Sequence, residues 1–256
     1  MTGVERRNKI INHLQTNGFV NFNDIAKELN VSTMTIRRDL NKLASEGIVS
    51  LEQGGAILKK DSLFENAMSF KQNDHVAEKN KIAQACLEYI SHGSYFLDSG
   101  TTVLELAKKI SLIDYKNCIF FTHSLLASNE LSKIKDIKYI MCPGEFRYTS
   151  MAYIGQLTDQ FISNFEIDVL FLAVEGIDLE FGVSVPDIVD GYTKTNLIQK
   201  AKKTICLVDS SKFKQKFLYK ISDLKDIDLI ITDNHLNQDV YQQFLKANIS
   251  IKIVTV

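Results

Sequence analysis

The sequence predicts an α/β chain in two parts: a small helical head closed by a β-hairpin, then a larger body of alternating strands and helices. Three observations carry this. Residues 1–60 show short amphipathic helical patterns, a Gly pair and no strong strand before about residue 48. Beyond residue 60, short Ile/Val/Leu/Phe runs alternate with helical stretches, the rhythm of parallel strands joined by crossover helices. Between the two lies a polar, poorly periodic stretch. The expected domains are therefore a head over 1–58, a linker over 59–77 and a body over 78–256.

Composition sets the frame. The chain has 256 residues, 45% hydrophobic and 24% charged, which excludes a collagen-like or wholly disordered chain and leaves enough length for a real core. No apolar run reaches the roughly 18 residues of a membrane span, and the polar start does not read as a signal peptide, so residence in the cytoplasm is expected. The four cysteines, Cys86, Cys118, Cys142 and Cys206, are too far apart for metal-ligand or redox pairs and read as small core hydrophobes; no metal or cofactor is expected. Residues 1–60 hold nine Lys/Arg against six Asp/Glu, and the remainder 21 against 25. A basic head on an acidic body suggests an anionic partner at the N-terminus.

In the head, the first helix is expected over 4–16, with Ile10, Ile11 and Leu14 on one face and Gly18 as its stop. A second opens at the N-cap Asn21 and buries Ile25, Ala26 and Leu29. After a short turn Ser32 caps a third, whose buried stripe is Ile36, Leu40 and Leu43, with Val31 and Ile36 placed as a hydrophobic staple. Met34, Arg38, Asn41 and Ser45 point away from that stripe, flanked by Thr35, Arg37 and Lys42. Two helices on a tight turn, the second presenting hydroxyls, an amide and two Arg, form a helix-turn-helix. Arg reads guanine edges, and hydroxyls, Lys and backbone amides hold phosphates. The runs 48–51 and 56–58, around Glu52-Gln53-Gly54-Gly55, form a hairpin placed as a wing. The expected DNA-binding set is Ser32, Thr33, Thr35, Arg37, Arg38, Asn41, Lys42, Gln53, Gly54 and Gly55.

These residues carry a resemblance. Ser32-Thr33-Met34-Thr35-Ile36-Arg37-Arg38-Asp39-Leu40, with Gly47-Ile48 and Gly54-Gly55-Ala56, is similar to the DNA-binding head of the DeoR-type bacterial repressors. The resemblance implies operator binding through the third helix and the wing. Asp39 is expected to pair locally with Arg or Lys.

In the body, strands are expected at 95–97, 118–121, 138–141, 168–174, 204–208, 229–232 and 249–254, and helices at 103–110, 124–131, 187–202 and 237–247. Small polar groups follow several strands, at the C-terminal ends where open α/β sheets bind ligands. Asp98-Ser99-Gly100-Thr101-Thr102 leads into a helix start that suits an anion. His123 and Ser124 follow the second strand, and Gly144 and Glu145 the third. Glu175 and Asp178 suit sugar hydroxyls or acid/base work, and Lys194 and Lys212 supply cations. The expected effector set is Asp98, Gly100, Thr101, Thr102, His123, Ser124, Gly144, Glu145, Glu175, Asp178, Lys194 and Lys212, around a small phosphorylated polyol.

Asp98–Thr102, Gly144-Glu145, Gly176-Ile177-Asp178 and Asp209-Ser210-Ser211-Lys212-Phe213 resemble the sensor domain of the same family. That implies a fold related to ribose-phosphate isomerases and CoA transferases, a phosphorylated sugar as inducer, and a homo-oligomer, dimer or tetramer, on double-stranded operator DNA. The sequence departs from the family pattern at His123 (usually Asn), Pro143 (Gly), Ala173 (Gly) and Glu175 (Asp), and has fewer carboxylates over 187–193. The expected function is a transcription regulator, a repressor of a sugar-metabolism operon, with no catalysis and no membrane partner. Two alternatives are a sugar-phosphate isomerase with an appended head, kept open by Glu175 and Asp178, and a ligand-independent architectural DNA binder.

Overall fold

The computed structural model describes residues 3–45, 48–58, 68–72 and 74–256. Gly47 of the head motif and residues 59–67 and 73 of the expected linker lie outside that range. By contacts the chain divides into two units, Met1–Asp74 and His75–Val256.

The head holds α1 (Gly3–Asn17), β1 (Phe19–Asn21), α2 (Phe22–Glu28), α3 (Thr33–Ser45), β2 (Val49–Glu52) and β3 (Gly55–Leu58). Gly18, in the left-handed region at φ +74, ends α1 by donating its N–H to the Leu14 carbonyl. Asn21 caps α2, its side chain accepting from the amides of Asn23 and Asp24. Ile10, Leu14, Ile36, Leu40, Leu43 and Val49 are fully buried in one cluster, so the stripes of α1 and α3 meet in the head core. One expectation fails. A strand does precede residue 48: β1 pairs antiparallel with β3, giving a three-stranded sheet in the order β1-β3-β2. Three residues are too few for a period-2 pattern to register.

The second unit is built on a seven-stranded parallel sheet. Its strands are β4 (Gly93–Leu97), β5 (Cys118–Thr122), β6 (Tyr139–Met141), β9 (Ile167–Leu172), β12 (Ala201–Leu207), β14 (Leu229–Asp233) and β15 (Ile251–Val254), one for each expected apolar run. Their order is β15-β14-β12-β9-β4-β5-β6. Both faces are covered, because alternate side chains enter two different cores. Phe96, Phe121, Leu170, Leu172, Cys206 and Ile230 join one cluster; Tyr95, Leu97, Phe120, Phe171, Ile205 and Ile231 join the other. The covering helices include α5 (Val76–Cys86), α6 (Thr101–Ala107), α7 (Leu125–Leu131), α9 (Ile188–Lys200) and α10 (Gln238–Lys246). α5 begins inside the stretch expected as linker, as does the short α4 (Met68–Gln72).

Shorter elements had no forecast: the hairpin β7 (Glu145–Arg147) and β8 (Ala152–Ile154), the helix α8 (Gln156–Ile162), and a small antiparallel sheet of β10 (Gly176–Asp178), β11 (Gly182–Val185) and β13 (Tyr219–Ser222). All four cysteines are buried without disulfides; burial pushes their thiols up, Cys142 to about 12.

The sheet order fixes where a ligand would sit. From β4 the chain winds outward through β5 to β6, then returns to β9 and winds the opposite way through β12, β14 and β15. The direction reverses between β4 and β9, and open α/β sheets bind ligands at the carboxyl ends of strands at such a point.

Candidate functional site

On the head, Ser32 opens α3: its hydroxyl accepts from the Thr35 amide at 3.2 Å and lies 2.9 Å from the Thr35 hydroxyl. Arg37, Arg38, Asn41 and Lys42 are exposed along one side of the helix, while Ile36, Leu40 and Leu43 are buried on the other. Thr33 and Thr35 are half-buried at its start. Arg37 lies over the Phe22 ring, 4.6 Å from its centroid, which holds the guanidinium near the surface without occupying its N–H groups. Gln53 and Gly54 form the exposed wing turn, with Gly54 at φ +83.

Two expectations about the head are corrected. Asp39 does not pair locally. It is buried and reaches α1, where Arg6 Nε donates at 2.5 Å and Arg7 at 3.3 Å. The carboxylate thus ties the recognition helix to α1. Gly55 is also buried, and a Cβ there would collide with the Val20 carbonyl and the Phe19 ring. Its lack of a side chain answers to the β1–β3 pairing rather than to the close approach of a nucleic acid.

In the second unit the centre of the switch point is Asp98, with no exposed surface. Its backbone N–H donates to the Phe171 carbonyl, and its Oδ2 accepts from the Ala173 amide at 2.8 Å, so the residue bridges the ends of β4 and β9. The same Oδ2 accepts from Lys194 Nζ at 2.5 Å. Oδ1 accepts from the Ser99 amide at 2.7 Å and lies 2.9 Å from His123 Nε2, whose ring Nδ1 is 3.1 Å from the Tyr153 carbonyl. Asp190, one turn before Lys194 on α9, stands 3.8 Å from the ammonium. Burial alone pushes the Asp98 carboxyl up, but Lys194 and His123 outweigh it and hold it below the usual carboxylate range. Burial likewise pushes Lys194 down, and Asp190 and Asp98 reverse that.

The structure therefore brings Asp98, His123 and Lys194 together and spends them on one another. All three are buried beneath the strand ends. Gly100 is half-buried at the start of α6, and a Cβ on it would meet the Ala173 side chain, which packs the β4 loop against the β9 loop. Thr101 and Thr102 are buried in the first turn of α6, and Ser124 is buried as the cap of α7, accepting from Ala127 N–H. Glu175 and Lys212 are half-buried and 3.9 Å apart, following β9 and β12. Asp209 caps the turn that carries Lys212, accepting from the amide and hydroxyl of Ser211.

Other expected residues sit elsewhere. Asp178 accepts from the amides of Glu180 and Phe181 and from Lys216, which commits it to its own turn. Gly144 packs against the Thr158 hydroxyl and the Ile154 backbone. Glu145 is exposed and lines a 270 Å³ cavity with Phe146, Arg147 and Asp187, which none of Asp98, His123 and Lys194 lines. Asp190 had no role in the sequence reading, although its i,i+4 spacing from Lys194 on a helix was the available signal.

A capped recognition helix on a separate unit, ahead of an α/β unit with a polar centre at its switch point, defines a two-part DNA-binding regulator. The family comparison agrees. Residues 6–62 match the DeoR-like helix-turn-helix domain, and residues 74–234 match the DeoR C terminal sensor domain. The chain belongs to the DeoR family of transcription regulators. It is 30% identical to the glycerol-3-phosphate regulon repressor of Escherichia coli K12, across 99% of this chain and 100% of that one. It is 31% identical to the transcriptional repressor GlcR of Bacillus subtilis, across 91% and 90%. Among solved structures, ribose 5-phosphate isomerase A from Methanocaldococcus jannaschii shares 14% identity over 54% of each chain at a TM-score of 0.39, a likeness too slight to carry an argument. No helix among the described residues is long and apolar enough to cross a membrane.

Proposed function

We propose that this chain is a cytoplasmic repressor of carbohydrate-metabolism genes that leaves its operator when a phosphorylated sugar or polyol binds the sensor. Residues 1–58 serve as the DNA-binding domain, 59–77 as linker and 78–256 as sensor, and the chain works as a homo-oligomer. The observation that carries the reading is the pair Arg37 and Arg38, exposed on the outer side of a capped helix whose inner side is the head core. The names of the relatives support the sugar-phosphate half: one is a glycerol-3-phosphate regulon repressor. Gly100, Glu175 and Lys212, half-buried around the Asp98 centre, are the positions open to a ligand, with the α6 amides as the phosphate end.

Binding without catalysis fits this set better than isomerisation. Asp178, the second carboxylate of the enzyme reading, is held by two amides and Lys216 and is poorly placed as a base.

Thr101→Asp tests the site. A carboxylate at the start of α6 meets the backbone amides there but confronts an incoming phosphate, and circular dichroism checks that the variant folds. Operator binding should persist, and release by a panel of sugar phosphates should be lost. A variant that binds and releases DNA like the parent would move the effector site elsewhere. Incubation with ribose and hexose phosphates, watched for aldose–ketose conversion, tests the absence of catalysis.

A further inference from the structure

Six large apolar side chains of the sensor stand exposed on neighbouring elements. They are Phe146 on β7, Tyr148 just after it, Leu157 on α8, and Ile188, Val189 and Tyr192 on the first two turns of α9. β7 pairs with β8, and α8 and α9 both pack against β8. Their exposures run from 41% at Phe146 to 72% at Tyr148. α8 and α9 enclose a groove of 690 Å³ with Ile188, Val189 and Tyr192 in its wall. The 270 Å³ cavity under Phe146 shares Gly155 and Val189 with it, so the two openings adjoin.

The patch is large for a surface that meets only water. Three aromatic and three aliphatic side chains at these exposures present on the order of 600 Å² of apolar area, the top of the usual range for a monomer. A standard interface covers about 800 Å² on each partner, which this patch approaches before its polar rim is counted. The groove also holds both signs of charge. Lys200 lines it, and so does Asp159, whose Oδ1 is buried with no hydrogen-bond partner among the described residues. A groove lined by an acidic and a basic residue can complement a copy of itself across a two-fold axis.

α9 links this face to the sensor centre. Asp190 and Lys194 turn inward to the Asp98 cluster, while Ile188 and Tyr192, one turn apart on the same helix, are exposed.

We infer that the outer face of α9, with α8 and β7, is where a second copy of this chain docks. The inference deepens the proposed function and rests on it in one respect: one recognition helix reads one half-site, so a regulator of this kind needs a second head held at a set distance. A ligand that moves Asp98 would act on Lys194, tilt α9 and so change the spacing of the two heads. Differential affinity of the ligand for two such arrangements is the only way it can act.

The test is the mass of the full-length chain by light scattering at micromolar concentration, for the parent, Ile188→Lys/Tyr192→Lys and the control Leu112→Lys, whose exposed leucine lies outside the patch. The parent and the control should be at least dimers, and the double variant should have half their mass or less. A monomeric parent, or a double variant of parental mass, overturns the inference. Should the double variant unfold by circular dichroism, Leu157→Glu replaces it under the same criterion. Each protein is also titrated on a duplex selected by the parent from a random pool. Loss of the tethered second head should weaken binding by a factor of about 100 or more. A parent that selects no DNA but loses its dimer in the variant leaves the interface standing and the regulator reading in error; DNA binding with an unchanged oligomer does the reverse.

Discussion

In the head, Arg37 and Arg38 stand in solvent on α3, while Asp39 beside them is buried against Arg6 and Arg7 of α1. In the sensor, Asp98, His123 and Lys194 are buried together at the reversal of the sheet. The head exposes Arg37 and Arg38 and uses one buried carboxylate to tie the helix that carries them to α1. The sensor neutralises Asp98, His123 and Lys194 against one another, with half-buried groups around them. The comparison shows why the same residue types mean different things in the two units. An exposed array of cations suits a polyanion as large as DNA, whereas a buried polar centre must be satisfied from within the fold.

The largest expected effect comes from breaking the sensor's centre. Asp98→Ala leaves the Lys194 ammonium buried without its closest carboxylate, and losing one partner of a buried pair costs about 3–5 kcal/mol. Chemical denaturation of the full chain should show the sensor transition moving by that amount while the head transition stays. The depressed Asp98 carboxyl contributes stability that is present at neutral pH and lost as pH falls through its lowered value, so the difference between parent and variant should shrink in acid.

Gly55→Val should be next. Its side chain would meet Val20 and Phe19, and overpacking of this kind costs about 1–3 kcal/mol. The head transition, not the sensor transition, should move. If the variant folds like the parent and only DNA binding falls, the wing contacts DNA through Gly55 after all.

Arg37→Ala and Arg38→Ala sharpen the other side of the comparison. Each base-reading Arg should cost about 1–3 kcal/mol of operator binding at fixed salt, with neither unfolding transition shifted. Unchanged affinity in the double variant would remove α3 from recognition.

The smallest effect belongs to the start of β9, the middle strand of the sheet. Asp168 accepts from the amide and hydroxyl of Ser94 and from Lys202, and these bonds lower its carboxyl to about 2. Its contribution is complete above the ordinary carboxylate range and is lost as pH falls towards 2. Because the side chain is 40% exposed, that contribution should stay under about 1 kcal/mol. Acid titration of Asp168→Asn against the parent should show the variant slightly less stable at pH 7, with the difference shrinking below pH 4.

All seven strands of the main sheet were legible because each contains an apolar run, even the half-buried edge strands β6 and β15. Most elements that escaped, β1, α4, β7, β8, β10, β11, β13 and α8, are three to seven residues long and owe their form to neighbours rather than to their own periodicity; the eleven-residue α5 escaped as well, beginning in a stretch read as linker. The head's exposed residues were readable because a helix's outer face follows from 3.6-residue spacing alone. The sensor's site was readable as residue types and no further: Asp98 lies 25 residues from His123 and 96 from Lys194, and no local pattern says that they will bond one another.

The sequence by itself determined the two-part plan, the helix-turn-helix with its caps, and the strand ends at which polar groups gather. These depend on interactions within a few residues of one another. Only the tertiary structure decided that Gly55 packs against β1, that Asp39 binds α1, and that Asp98, His123 and Lys194 bond one another. Whether a charged side chain meets a ligand or another side chain depends on which elements the sheet order sets beside it. That order is chosen by the burial of two whole cores, which no short stretch of sequence contains.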